Sequence, residues 1–147
     1  MKFSQARPGR VFIVRLEDGE IVHEVIEKFA VDQGITAASL LVVGGADAGS
    51  RLVVGPEQDR GLPLNPMQLV LENAHEVTGT GTLFSDDQGV PLLHMHMACG
   101  RQDRAVTGCI RSGVKVWHVM EVIIFELLDT EATRTQEAPL GLKLLQP

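Results

Sequence analysis

Two histidines, His94 and His96, stand two apart in the run Leu92-Leu93-His94-Met95-His96-Met97. Alternate residues of an extended strand share a face, so the two imidazoles project together, roughly 6 to 7 Å apart along the chain. That is the spacing of a paired metal ligand. A third histidine, His118, and both cysteines, Cys99 and Cys109, fall in the same stretch, residues 91–121, which reads as three consecutive strands.

Register arithmetic extends the pair. If Gly100-Arg101-Gln102-Asp103 turns a first hairpin with Cys99 opposite Arg104, then His94 faces Cys109 and His96 faces Thr107. If Ser112-Gly113 turns a second as a two-residue loop, a geometry glycine favours, then Thr107 faces His118 and Cys109 faces Val116. Directly opposed residues share a face, so His94, His96, Cys109 and His118 converge on one side of the three strands. Zinc, which accepts nitrogen and sulfur ligands, is the expected metal, with iron, nickel or copper as alternatives. Three histidines with water would leave a reactive position open, whereas adding Cys109 would close the site and make it structural. A slip of one residue in either turn would move a ligand to the other face.

The other candidates carry less chemistry. His23 is expected on the solvent side of a helix, and His75 has no partner that spacing can place. Glu121, three residues after His118, is expected on the opposite face, against another subunit or a polar network. Gly44-Gly45 and Gly79-Thr80-Gly81 form neither a dinucleotide fingerprint nor a phosphate loop and read as turns, bulges or close backbone approaches. The His-x-His pair lacks the glutamate that a cupin would place a few residues later, and no nucleophile motif is present. The sequence therefore names no general base, and whether the site is catalytic stays open.

The elements that must position these residues are mostly strands. Residues 9–16 alternate as a first strand. Ile21, Val22, Val25, Ile26, Phe29 and Ala30 then form a helical stripe across residues 20–33, with Asp18 as the expected N-cap and Gly34 as the stop. Strands follow at 35–45, 51–54, 67–71, 74–84, 92–99, 105–111 and 114–128. Residues 55–66 read as a loop, and Ser85-Asp86-Asp87-Gln88-Gly89 as a turn. The polar segment 129–138 is expected to be loose, with Leu140, Leu142, Leu144 and Leu145 available to dock the end of the chain.

The 147 residues, 44% of them hydrophobic, are enough for one domain, 1–147, with a real core. A net charge of −6 with scattered basic residues argues against a broad nucleic-acid footprint, and scarce aromatics argue against base-stacking platforms. No run of apolar residues suits a membrane span or a signal peptide, so a cytoplasmic protein with reduced cysteines is expected.

The chain also resembles a known family, the plants and prokaryotes conserved domain, PPC or PCC. The resemblance rests on the early helix, Val42-Val43-Gly44-Gly45-Ala46, the segment His75-Glu76-Val77-Thr78-Gly79-Thr80-Gly81-Thr82-Leu83, and the stretch from His94-Met95-His96 through Val106-Thr107-Gly108-Cys109-Ile110 to Met120-Glu121-Val122-Ile123. It implies an α/β fold of the α+β type: a strongly bent, mostly antiparallel sheet packed on one main helix, assembling as a homotrimer. Prokaryotic members often carry His-x-His followed by Gly-Gly-His-Leu. By that pattern His94 and His96 match the first part, and Cys109 stands in the histidine's place of the second, with His118 available to compensate. In plants the domain follows AT-hook motifs in DNA-binding proteins. Arg7-Pro8-Gly9-Arg10 has the AT-hook residues in the wrong order, so the expected function is a small trimeric metal-binding protein with a possible small-molecule ligand, and a DNA-associated interaction module is the alternative.

Overall fold

The computed structural model describes residues 1–147. Its strands are β1 (Arg7–Glu17), β2 (Ala37–Ala46), β3 (Arg51–Pro56), β4 (Pro66–Val70), β5 (His75–Ser85), β6 (Pro91–Arg101), β7 (Arg104–Cys109), β8 (Val116–Leu128), β9 (Thr133–Glu137) and β10 (Leu142–Gln146). One helix, α1 (Val22–Gln33), follows β1, and a short 3₁₀ turn, Ile110–Ser112, follows β7. The first eight strands form one antiparallel sheet in the order β1-β8-β2-β5-β6-β7-β3-β4, and β9 and β10 form a separate hairpin. The architecture is thus mostly antiparallel sheet with one helix, as expected.

The helix buries Val22, Ile26 and Ala30 against one face of the sheet. Gly34 ends it in the left-handed conformation at φ 65°, where its N–H reaches the carbonyls of Ala30 and Val31. The N-terminus differs from expectation. Ile21 occupies the cap without a side-chain hydrogen bond, and the Asp18 carboxylate instead accepts the backbone N–H of His118 at 2.7 Å. Asp18 lies too early to cap α1 and is used to hold β8.

Two strand partnerships differ from the hairpin reading. The β6–β7 turn is tighter, over Gln102-Asp103, so Arg101 pairs with Arg104 and His96 with Cys109. The larger difference is that β7 and β8 form no hairpin. After Cys109 the 3₁₀ turn carries the chain away, and β8 crosses to pair with β1 and β2, while β7 lies between β6 and β3.

The polar segment after β8 is also not loose. Ala132 and Arg134 are buried, Arg134 bridges backbone to backbone with Asp86, and β9 pairs along its length with β10. Ala132 packs with Ala37 and Phe84, whereas Leu140, Leu142 and Leu145 stay exposed. Docking falls to β9 rather than to the terminal leucines.

Edge strand β1 is fastened by a buried carboxylate. Glu126 of β8 accepts from Arg10 Nη2 at 2.5 Å, Nε at 2.7 Å and the backbone N–H at 3.0 Å, and Arg10 also donates to the carbonyl of Gln33 at the end of α1. Those hydrogen bonds hold the Glu126 carboxyl well down, at about 2 against an ordinary 4.5. A depressed carboxyl stabilises the fold fully above its unfolded-state pKa, and that contribution is lost as pH falls through the folded value. Thermal melts across pH should therefore show the protein losing stability from about pH 4.5 down toward 2. Glu126→Gln should be less stable at neutral pH and flatter across that window; a slope equal to the parent's would contradict the assignment.

Candidate metal centre

Strict alternation along β6 creates the site. Leu93, Met95, Met97 and Cys99 are buried on the helix side, while His94 and His96 are exposed on the other. The inward methionines have room because β5 places glycines opposite them: Gly79 pairs with Met97 and Gly81 with Met95. A Cβ on Gly81 would lie 2.8 Å from the Met95 Cβ, and one on Gly79 would lie 2.7 Å from the His96 carbonyl oxygen. The Gly79-Thr80-Gly81 motif is thus a close-approach device that lets β6 lie tightly on β5.

On the outer face the register forms continuous rows. One runs Ile13, Ile123, Leu41, Thr80, His96, Cys109 across β1, β8, β2, β5, β6 and β7. The next runs Val11, Phe125, Ser39, Thr82, His94 and stops, because β7 ends at Cys109. Cys109 therefore sits beside His96 at the strand's last position, within reach of both imidazoles.

The structure brings His94, His96 and Cys109 together, with their ligand atoms all within 4.8 Å of one another. A tetrahedral zinc with nitrogens near 2.0 to 2.1 Å and sulfur near 2.3 Å spaces its ligands about 3.3 to 3.8 Å apart, so small side-chain rotations close the set. The imidazoles meet edge to face, with centroids 5.1 Å apart. Of the five histidine side chains only His75 makes a hydrogen bond, from Nδ1 to the Asn73 carbonyl, so both site imidazoles are free to coordinate. Burial first, then the charges of Arg134, His96 and Arg111, lower the pKa of His94 and favour the neutral, ligating form. Two nitrogens and a sulfur suit zinc.

His118 is not brought to this group. With β8 paired to β1 and β2, it lies three strands from β6, roughly 14 Å along the sheet. It sits instead in a bulge. Gly44 pairs with Met120 and Gly45 with Trp117, leaving His118 and Val119 extra on β8, with His118 at φ 60°. Gly44-Gly45 accommodates the bulge, since a Cβ on Gly44 would lie 2.4 Å from the Val119 carbonyl oxygen. Two added residues leave the alternation of β8 the same on either side of the bulge, and His118 itself departs from it; Glu121, two before Ile123 and paired with Arg15 and Val43, therefore shares the outer face with His94 and His96 rather than lying opposite to them. His23 is half-buried rather than exposed, with Nδ1 buried and unpaired. His75 lies at the start of β5 and joins no ligand group.

Sequence reasoning missed two residues beside the site. Where β7 ends, the peptide groups of Leu93 lose a strand partner. Glu27 accepts the Leu93 N–H at 2.8 Å, and Arg111, from the 3₁₀ turn, donates to its carbonyl. Arg134 of β9 reaches the same region. Arg111 and Arg134 help line a cleft of about 460 Å³ that opens beside His94 and Cys109. Only the sequence run Cys109-Ile110-Arg111 hinted at Arg111, and no local signal marked Arg134.

An antiparallel sheet with one helix on one face and a His-x-His pair with a cysteine on the other defines a small α+β domain with a candidate metal centre. The chain belongs to the Plants and Prokaryotes Conserved (PCC) domain family, whose model matches residues 3–128. Among solved structures it is similar to a plant- and prokaryote-conserved (PPC) protein of Pyrococcus horikoshii, with 21% identity, a TM-score of 0.85, and coverage of 100% of this chain and 98% of that one. It is also similar to a metal-containing protein of Archaeoglobus fulgidus, with 24% identity, a TM-score of 0.83, and 98% of each chain covered. A third, from Bacteroides thetaiotaomicron, carries a provisional DNA-binding name, with 18% identity, a TM-score of 0.75 and 97% of each chain covered. No curated protein matches the chain.

The two cysteines differ sharply in environment. Cys99 is fully buried, and burial pushes its thiol up to about 11, whereas Cys109 is half-buried at the strand end. A thiol reagent should therefore modify one cysteine of the native protein, Cys109, and reach Cys99 only on unfolding. Two thiols reacting alike in the native state would contradict this placement.

Proposed function

We propose that this protein is a metal-binding homotrimer in which His94, His96 and Cys109 hold one divalent ion, zinc in preference to iron, nickel or copper. The convergence of these three side chains within 4.8 Å carries the reading. The metal-containing Archaeoglobus relative adds support through its shared fold. Three protein ligands leave a fourth position for water or a small molecule, the arrangement of reactive rather than purely structural zinc sites. When bound, the ion supplies a Lewis acid and an acidified water, so hydrolase or lyase chemistry fits the site. In this chain's own residues, Thr80 and the β5 glycines fix the strand that presents the imidazoles, and the end of β7 leaves the open side.

The family resemblance supplies the number three, and the other half of the same sheet face supports self-association. Ile13, Val11 and Val43 are 87%, 60% and 55% exposed, and with Leu41, Ile123 and Phe125 they form a continuous apolar patch across β1, β8 and β2. An exposed apolar patch of this kind marks an interaction surface. A second copy of the chain suits it, and Glu121 beside Arg15 gives the patch a polar border. Duplex DNA is a poorer partner for a chain of net charge −6, and what favours it is the names of relatives, the Bacteroides protein among them, and the family's plant members. No helix is long and apolar enough to cross a membrane.

Metal analysis of untagged protein should find about one equivalent per chain after zinc addition, and His96→Ala should cut this below about a tenth while leaving the fold intact. Equal metal in variant and parent would refute the ligand set. Light scattering should give the parent a mass three times the 16.0 kDa of one chain, and Ile13→Asp should lower it. A parent already monomeric at micromolar concentration would refute the trimer.

A further inference from the structure

The cleft beside His94 and Cys109 holds a surplus of positive charge. Arg134 is only 4% exposed and lines this cleft, yet no carboxylate pairs with it. Its Nη2 donates to the Thr82 hydroxyl at 2.9 Å and more weakly to the Thr82 carbonyl, its guanidinium lies 6.0 Å over the Phe84 ring, and its Nε is buried with no partner. Asp86, whose backbone bridges to that of Arg134, does not serve. Asp86 is engaged by Lys143 Nζ at 2.6 Å and by the N–H groups of Gln88 and Val90. Arg111 stands across the same cleft with one nitrogen on the Leu93 carbonyl and no acidic partner.

A buried guanidinium normally has an anion against it, because removing an unpaired charge from water costs several kcal/mol, roughly, even after relaxation. A buried N–H with no acceptor likewise calls for an explanation, and an absent ligand is one. Here two guanidiniums face one cavity that contains no carboxylate of its own. Each carries forked donors that fit a carboxylate or phosphate bidentately.

We infer that the cleft is an oxyanion subsite: Arg111 and Arg134 bind the carboxylate or phosphate group of a small ligand whose other end reaches the open side of the His94, His96 and Cys109 centre. The subsite also makes sense of β9, which threads Arg134 in from a segment distant in sequence. Apolar walls from Leu92, Val53 and Leu142 leave room for a short carbon chain between the two contacts. The inference rests on the metal reading only for the ligand's second contact; the anion contact stands on the arginines alone.

The test titrates succinate and methyl phosphate, by calorimetry at constant chloride ionic strength, into chelator-stripped protein and into the zinc-loaded protein. Saturable binding of either probe to the stripped protein, weakened about ten-fold or more in Arg111→Gln, is the expected result, and the tighter probe identifies the head group. Arg111 is exposed, so this variant keeps the fold; Arg134→Gln, checked by thermal melting, should lose binding as well. No saturable binding to either form, or an affinity unchanged in Arg111→Gln, would overturn the subsite. Failure of zinc to bind while the probes still do would refute the metal reading and leave the anion site standing.

Discussion

The two-faced alternation of β6 is the constraint on which the rest of the molecule depends. Every second residue of that strand is an apolar side chain pressed against the helix side of the sheet, and burial of each such side chain stabilises the fold by about 1.5 to 3 kcal/mol. A one-residue slip would bury both imidazoles and expose Met95 and Met97, so the core that holds the fold together also fixes the imidazoles outward. The glycines of β5 strengthen this lock, since the methionines occupy the volume their missing side chains leave. The candidate site is the reverse side of core packing.

What separates the candidate site from an ordinary patch of strand surface is the place where pairing stops. As β7 gives way to the 3₁₀ turn at Cys109, one row of the outer face is left incomplete beside His94. The gap releases the Leu93 peptide groups, which Glu27 and Arg111 satisfy, and it opens the space that β9 and β10 partly roof. A thiol, two imidazoles and two guanidiniums therefore meet at a strand end, while the same face two strands away is apolar and exposed. The candidate metal ligands, the unpaired guanidiniums and the exposed apolar patch are distributed along a single sheet face.

Much of this was legible in the sequence, for reasons that particular residues make plain. The 3.6-residue period from Ile21 to Ala30 and the stop at Gly34 located the helix, because both signals are local. His94 and His96 could be assigned a common face from spacing alone. Cys109 joined them despite a wrong turn, since the true register differs from the assumed one by an even number of positions, which changes the partner and keeps the face. His118 does not join them because the next strand in sequence is not the next strand in space; nothing between Ile110 and Lys115 announces that β8 will cross to β1 and β2. The bulge at His118 and Val119 then also misplaced Glu121. Arg134 was invisible, since its burial depends on a polar segment folding back onto Asp86 and Thr82.

The most direct test of the central claim is zinc K-edge X-ray absorption on the untagged, zinc-loaded protein. The account predicts a sulfur shell of one atom near 2.3 Å together with nitrogen and oxygen scatterers at about 2.0 to 2.1 Å, two of them showing the outer-shell pattern of imidazole. A first shell with no sulfur and no imidazole pattern would contradict the placement of the metal on His94, His96 and Cys109.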